Sequence, residues 1–147
     1  MSFNTLAYAS SVSVNLTVTT LQDTGIGIST IVNIEHLSGG AGNDIFTGNS
    51  GNYLLRGNAG NDTVFGGDGN DTYTVNNSED SVVESEAASN IGGFDLVNSM
   101  RASYTLPANV ESDAILNTGA ANMSGNGLNN TIYAGRGNNS IDGGGGS

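Results

Sequence analysis

The sequence predicts an all-β chain, a parallel β-roll or β-helix solenoid of nonapeptide repeats with short irregular flanking strands. Three observations carry that expectation. Four nine-residue units run end to end from Gly39 to Thr74, reading GGAGNDIFT, GNSGNYLLR, GNAGNDTVF and GGDGNDTYT. Every unit has glycine at its first and fourth places and a bulky apolar residue at its eighth, namely Phe46, Leu55, Val64 and Tyr73. No stretch of the chain has a convincing helical apolar period. A unit this short cannot bury an apolar face alone, whereas stacked units bury a continuous core.

Within a unit, six residues make a turn, where glycine relieves the cost of positive φ. The remaining three make a short strand whose middle residue points inward. Each unit is half a coil, so two units complete one turn of the solenoid and alternate units stack on the same side. The inward positions extend to Leu37 before the block and Val82 after it. This block spans 39–83, preceded by N-terminal strands over 1–38. There VSVNLTV (12–18) alternates with a period of two, as a half-buried strand does. A turn-rich stretch, Gln22 to Thr30, then leads into Ile31 to Leu37.

Residues 84–118 are expected to form an irregular β connector. Short strands at Phe94–Val97, Tyr104–Leu106 and Ala114–Leu116 follow a small-residue acidic loop around Glu84–Asn90. A second, degenerate block occupies 119–147. It contains GNGLNNTIY (125–133) and AGRGNNSID (134–142), with Ile132 and Ile141 inward and Met123 in the unit before. The whole reads as one continuous solenoid with an irregular middle. Only about two complete units precede the glycine-rich end, so this block is expected to be truncated and its open strand edge to favour self-association.

The sixth place of the first block carries the chemistry. Asp44, Asp62 and Asp71 occupy it in three of the four units, and turn chemistry alone does not require aspartate every nine residues. Stacking alternate units aligns these carboxylates with turn carbonyls of the neighbouring coil. Oxygen-only donors on a flexible turn suit Ca²⁺, since Mg²⁺ demands a tighter octahedral shell. Counting by nines puts Asp44, Asp62 and Asp80 on one edge and Glu35, Tyr53 and Asp71 on the other. Tyr53 offers no anionic oxygen near neutral pH and leaves a gap. The strongest site is therefore expected between Gly39–Asp44 and Gly57–Asp62, with Asp62 facing both neighbours, and a weaker one at Gly66–Asp71. The candidate ligand set comprises Asp44, Asp62 and Asp71 with the turn residues Gly39, Ala41, Gly57, Ala59, Gly66 and Asp68. Glu35 and Asp80 close the ends of the ladders. In the second block Asn130 and Asn139 replace aspartate; an amide oxygen adds no charge, so calcium there should be weak or absent, with side-chain hydrogen bonds satisfying the turns.

The pattern G-G-x-G-x-D-x-U-x, four times in one register, resembles the RTX or hemolysin-type calcium-binding nonapeptide repeat. The segment order, from YASSVSVNL through IVNIEHLSGGAGND, YTVNNSEDSVVE and SYTLPANVE to SGNGLNNTI, is similar to that of long bacterial RTX proteins over nearly the whole chain. That resemblance implies a fragment of a larger protein, exported by a type I system without a cleaved N-terminal signal and located outside the cell. Relatives of that kind include proteases, lipases, cytolysins, alginate epimerases and adhesins, whose active parts usually lie outside the repeats. The expected function is thus a calcium-binding module that folds on extracellular Ca²⁺ and supports secretion and folding of its parent. A non-catalytic module of a polysaccharide-active enzyme and a structural adhesin or ice- or glycan-binding segment are the alternatives, with polysaccharide as a possible partner.

Composition narrows the field. Fourteen acidic residues oppose three arginines, Arg56, Arg101 and Arg136, with no lysine, for a net charge of −11. That balance excludes nonspecific binding to nucleic acid or anionic membranes, which needs basic patches. It also makes the metal-free chain self-repelling, while 23 glycines raise the entropy lost on ordering. No apolar run approaches a membrane span. Catalysis has no visible foundation: His36 is the single histidine, cysteine is absent, and no base stands at recognisable spacing from the serines and threonines.

Overall fold

The computed structural model describes residues 2–4, 10–85 and 93–146. Its strands run β1 (Ser2–Asn4), β2 (Ser13–Asn15), β3 (Leu21–Asp23), β4 (Ile28–Thr30), β5 (His36–Ser38) and β6 (Ile45–Thr47). They continue with β7 (Leu54–Arg56), β8 (Thr63–Phe65), β9 (Thr72–Val75), β10 (Ser81–Val83) and β11 (Leu96–Ser99). The last are β12 (Ser103–Thr105), β13 (Ser112–Ile115), β14 (Asn122–Ser124), β15 (Thr131–Tyr133) and β16 (Ser140–Asp142). The chain is all-β, a parallel β-solenoid. No helix among the described residues is long and apolar enough to cross a membrane.

One wall is a continuous seven-stranded parallel sheet in the order β1-β5-β7-β9-β11-β13-β15. The opposite wall is divided, with β10-β8-β6-β2 in one sheet and β12-β14-β16 in another. Odd and even units of the first block therefore fall on different walls, as two units per coil require. Pairing is in register: Leu37 lies beside Leu55 and Leu55 beside Tyr73, while Phe46 lies beside Val64 and Val64 beside Val82. These inward residues are the core, with Phe46 and Leu55 fully shielded from solvent. Val12, Val14 and Leu16 are all buried, so the alternation expected over 12–18 holds, although ladder pairing is confined to β2.

The stretch 84–118 continues both walls of the solenoid. It supplies β11, β12 and β13, and Val97 pairs directly with Tyr73 on the continuous wall. The cross-turn spacing changes here, from 18 residues between Tyr53 and Asp71 to 24 between Asp71 and Asp95, then 16 to Glu111. Of the acidic loop expected around Glu84–Asn90, residues beyond Ser85 lie outside the described ones.

Two local expectations need correction. The stretch from Gln22 to Thr30 is not merely turns: β3 and β4 form an antiparallel pair, closed where Thr24 donates to the Gly27 carbonyl at 3.0 Å. Gly25 has φ +82°, a conformation that glycine adopts without Cβ strain. In the second block, Ile132 is only half-buried and Ile141 is 44% exposed. Ile132 sits beside Asp113 instead of an apolar residue, and β16 is the outer strand of its sheet, so among the described residues no further strand pairs beyond Ile141.

Candidate metal centre

The sixth-place aspartates turn into the solenoid and are almost wholly buried at Asp44, Asp62 and Asp71. Each uses one carboxylate oxygen to accept the backbone N–H of the equivalent residue one coil away. Val12 donates to Asp44 Oδ1 at 2.8 Å, Asp44 to Asp62 Oδ1 at 2.8 Å, and Asp62 to Asp80 Oδ1 at 3.1 Å. The opposite edge has the same ladder: Tyr53 donates to Asp71 Oδ1 at 2.7 Å, Asp71 to Asp95 Oδ1 at 2.7 Å, and Asp95 to Glu111 Oε2 at 2.9 Å. Aspartate at this place thus satisfies a backbone donor that a short turn leaves without a carbonyl partner.

The second oxygens separate the positions. Asp44 Oδ2 accepts from the Gly40 N–H at 2.8 Å, and Asp80 Oδ2 from Asn76 and Asn77 at 3.1 and 2.8 Å. Among the described residues, Asp62 Oδ2, Asp95 Oδ2 and Asp113 Oδ1 are buried without a hydrogen-bond partner. Both oxygens of Glu84 are in the same condition, on a side chain only 7% exposed. Asp71, Glu84 and Asp95 converge, each offering a carboxylate oxygen within 4.8 Å of the other two. Tyr73 borders them, its hydroxyl 3.5 Å from Asp71 Oδ2.

Electrostatics follow from this crowding. Burial, reinforced by the charges of Asp95 and Asp71, raises the Glu84 carboxyl to about 9. Burial likewise raises Asp95 to about 7 and Asp71 to about 6, each moderated by the backbone N–H it accepts. Asp62 is raised to about 6, again by burial first, with Asp80 and Asp44 adding like charge. Asp113, lying between Val97 and Ile132, is raised to about 6 by burial.

First-place glycines are needed for space rather than for φ, which corrects the general turn argument. A Cβ on Gly39 would strike Asp44 Oδ2, and one on Gly57 would strike the Asp62 carboxylate. At Gly66 it would meet Glu84 Oε1, Asp71 Oδ2 and the Tyr73 hydroxyl together. Positive φ occurs elsewhere in the turns, at Gly60, Gly67 and Gly69.

Of the other candidate ligands, Ala41 and Ala59 sit on the exposed rim, and Asp68 and Asp80 are half-buried. Glu35 is exposed, and its carbonyl accepts from the Leu54 N–H at 2.8 Å. Tyr53 fills the gap on its edge with a buried ring, its hydroxyl donating to Asn49 Oδ1 at 2.6 Å. The asparagines of the second block are engaged by backbone. Asn130 Oδ1 accepts from Asn126 at 2.8 Å while its amide donates to the Val110 carbonyl at 3.0 Å. Asn139 accepts from Ala121 at 3.1 Å and donates to the Gly135 carbonyl at 3.0 Å.

Counting by nines did not find Glu84, Asp95 or Glu111. Two local signals point to Asp95 and Glu84. Asp95 stands two residues before inward Val97, as Asp44, Asp62 and Asp71 stand before Phe46, Val64 and Tyr73. Glu84 stands two after inward Val82, so strand alternation turns it inward as well.

A donor set of clustered carboxylates with unsatisfied buried oxygens fits a hard divalent cation and has nothing to offer a thiophilic one. The family described as RTX calcium-binding nonapeptide repeat (4 copies) matches residues 36–55, 54–82 and 124–147. The chain carries RTX calcium-binding repeats. The matched RTX segments contain Asp44, Asp62, Asp71 and Asp80, together with Asn130 and Asn139; Glu84, Asp95 and Glu111 lie outside them. These RTX repeats make the chain a calcium-binding repeat module. No curated protein matches the chain.

Proposed function

We propose that this RTX chain is a calcium-responsive folding module of an extracellular protein, extended and exportable where calcium is scarce and ordered where it is abundant. The observation that carries the reading is the set of buried carboxylate oxygens, on Asp62, Glu84, Asp95 and Asp113, that have no partner among the described residues. Leaving a charge so placed is costly, and a bound cation removes that cost. The net charge of −11 adds repulsion that a divalent ion also relieves.

Calcium supplies positive charge and oxygen coordination when bound. The chain's own residues do the rest: the ladder hydrogen bonds orient each carboxylate, and the inward apolar column holds adjacent turns together. Extracellular calcium modules commonly bind with dissociation constants on the order of 10⁻⁴–10⁻³ M, so such sites fill outside the cell and empty inside it. A site at tenfold saturation adds about 1.4 kcal/mol, and three such sites about 4 kcal/mol, comparable with the stability of a marginal domain. Secretion in the unfolded state and folding of a larger parent follow from the same switch.

Circular dichroism across a calcium titration tests the proposal. The β signal and the melting temperature should rise with calcium and fall on chelation. A chelated sample that retains both in full would refute coupled folding.

A further inference from the structure

We propose that Asp71, Glu84 and Asp95 form a distinct calcium site, the tightest on this chain, which clasps the end of the first repeat block to the strand that continues the solenoid. The inference rests on the calcium reading above and adds a site whose ligands are mostly outside the repeat. Asp71 directly precedes β9, Glu84 directly follows β10, and Asp95 directly precedes β11. One ion held by all three would connect three successive strand ends across the point where cross-turn spacing departs from 18 residues.

Three observations converge on a ligand. Among the described residues, this is the only group of three or more carboxylate, histidine or cysteine side chains within such reach of one another. Glu84 is 7% exposed, and among the described residues neither of its oxygens has a hydrogen-bond partner and Asp95 Oδ2 is buried and unpartnered beside it. Gly66 lets the backbone approach Glu84 Oε1, Asp71 Oδ2 and the Tyr73 hydroxyl more closely than any residue with a Cβ could, which packs the three groups against one another. A group that offers three converging carboxylates concentrates more negative charge than the Asp44–Asp62–Asp80 edge, where among the described residues no three converge. Ligand charge count is one of the terms that sets calcium affinity in oxygen sites. The tightest site therefore falls on the edge that repeat counting ranks second.

The test is calcium calorimetry on the full chain, comparing wild type, Glu84→Gln and Glu79→Gln, with Glu79 as an exposed acidic control on the same turn. Glu84→Gln should lose one calcium per chain from the tightest class, or weaken it at least tenfold, while Glu79→Gln matches wild type. Thermal melting gives a signature that a purely structural role would not. Glu84→Gln should melt higher than wild type in chelator, because a buried uncompensated carboxyl is gone, and gain less from added calcium. Wild-type stoichiometry, first affinity and calcium-induced shift in Glu84→Gln would overturn the site while leaving the repeat sites standing. A wild-type chain that takes up no calcium at all would overturn the broader reading and this one with it. If Glu84→Gln does not fold, terbium(III) emission excited through tyrosine decides: Tyr73→Phe should lose most of the signal at the first equivalent. Full retention would place the first ion elsewhere.

Discussion

A single methyl group separates a usable turn from a blocked one at Gly66. Its backbone lies close enough to Asp71 Oδ2, Glu84 Oε1 and the Tyr73 hydroxyl that a Cβ would collide with all three. Those side chains are buried and have little room to withdraw. Gly66→Ala should therefore destabilise the fold by about 1–3 kcal/mol, the usual cost of overpacking, and weaken calcium binding with it. Gly127 is the contrast, since nothing lies within 4 Å of a Cβ built there. Gly127→Ala should change stability by no more than about 0.5 kcal/mol, as surface substitutions generally do. Urea titrations of both variants, with calcium and with chelator, check the pair. Equal effects at the two positions would mean that close approach is not what selects glycine at the first place.

A strand of three residues has almost no independent stability, so each element depends on the column its middle residue joins. Leu55, at the centre of β7, is fully buried between Leu37 and Tyr73 in a register that continues to Val97. Leu55→Ala should cost about 2–5 kcal/mol, the range for a large-to-small change where neighbours cannot collapse into the cavity. Ile141 holds the corresponding middle place of β16 but is 44% exposed, beside Met123 on one side only. Ile141→Ala should cost much less, about 1 kcal/mol or below, because little apolar area leaves water there on folding. Chemical denaturation in saturating calcium compares the two. A similar loss at both positions would show that the two blocks are packed alike, against the difference in burial.

Over the whole molecule, buried acidity couples folding to pH as well as to metal. Without a cation, burial and the charges of Asp95, Asp71 and Glu111 raise the Glu84 carboxyl from 4.5 in the unfolded chain to about 9. Between those limits the native state holds a proton that the unfolded state has released. The Glu84 contribution to the stability of the metal-free protein is thus fully present below about pH 4.5 and is lost as pH rises towards about 9. Asp62, Asp71, Asp95 and Asp113, also raised, act in the same direction at lower pH. Calcium competes for the deprotonated forms, so saturating calcium should flatten or reverse this slope. Melting temperatures from pH 5 to pH 9, in chelator and in calcium, measure both slopes. A metal-free protein that gains stability across that range would contradict the burial assigned to these carboxyls.

Much of this was legible from residues alone. The nine-residue period determined the strand length, the inward column from Leu37 to Val82 and the alternation of Asp44, Asp62 and Asp71 between edges, because every unit faces the same steric problem and solves it alike. Asparagine in place of aspartate at Asn130 and Asn139 likewise foretold turns closed by side-chain amides. Two things were decided only by the folded chain. The first is that the opening glycines Gly39, Gly57 and Gly66 stand aside for carboxylates, and Gly48 for the Gly66 carbonyl, since their φ is ordinary and the crowding comes from residues of the same turn and its neighbours. The second is the meeting of Asp71, Glu84 and Asp95. Repeat counting fails between them because the coil lengthens from 18 to 24 residues at that turn. Lateral pairing of β11 on β9 restores the register that sequence spacing loses, and it does so through hydrogen bonds between strands far apart in the chain.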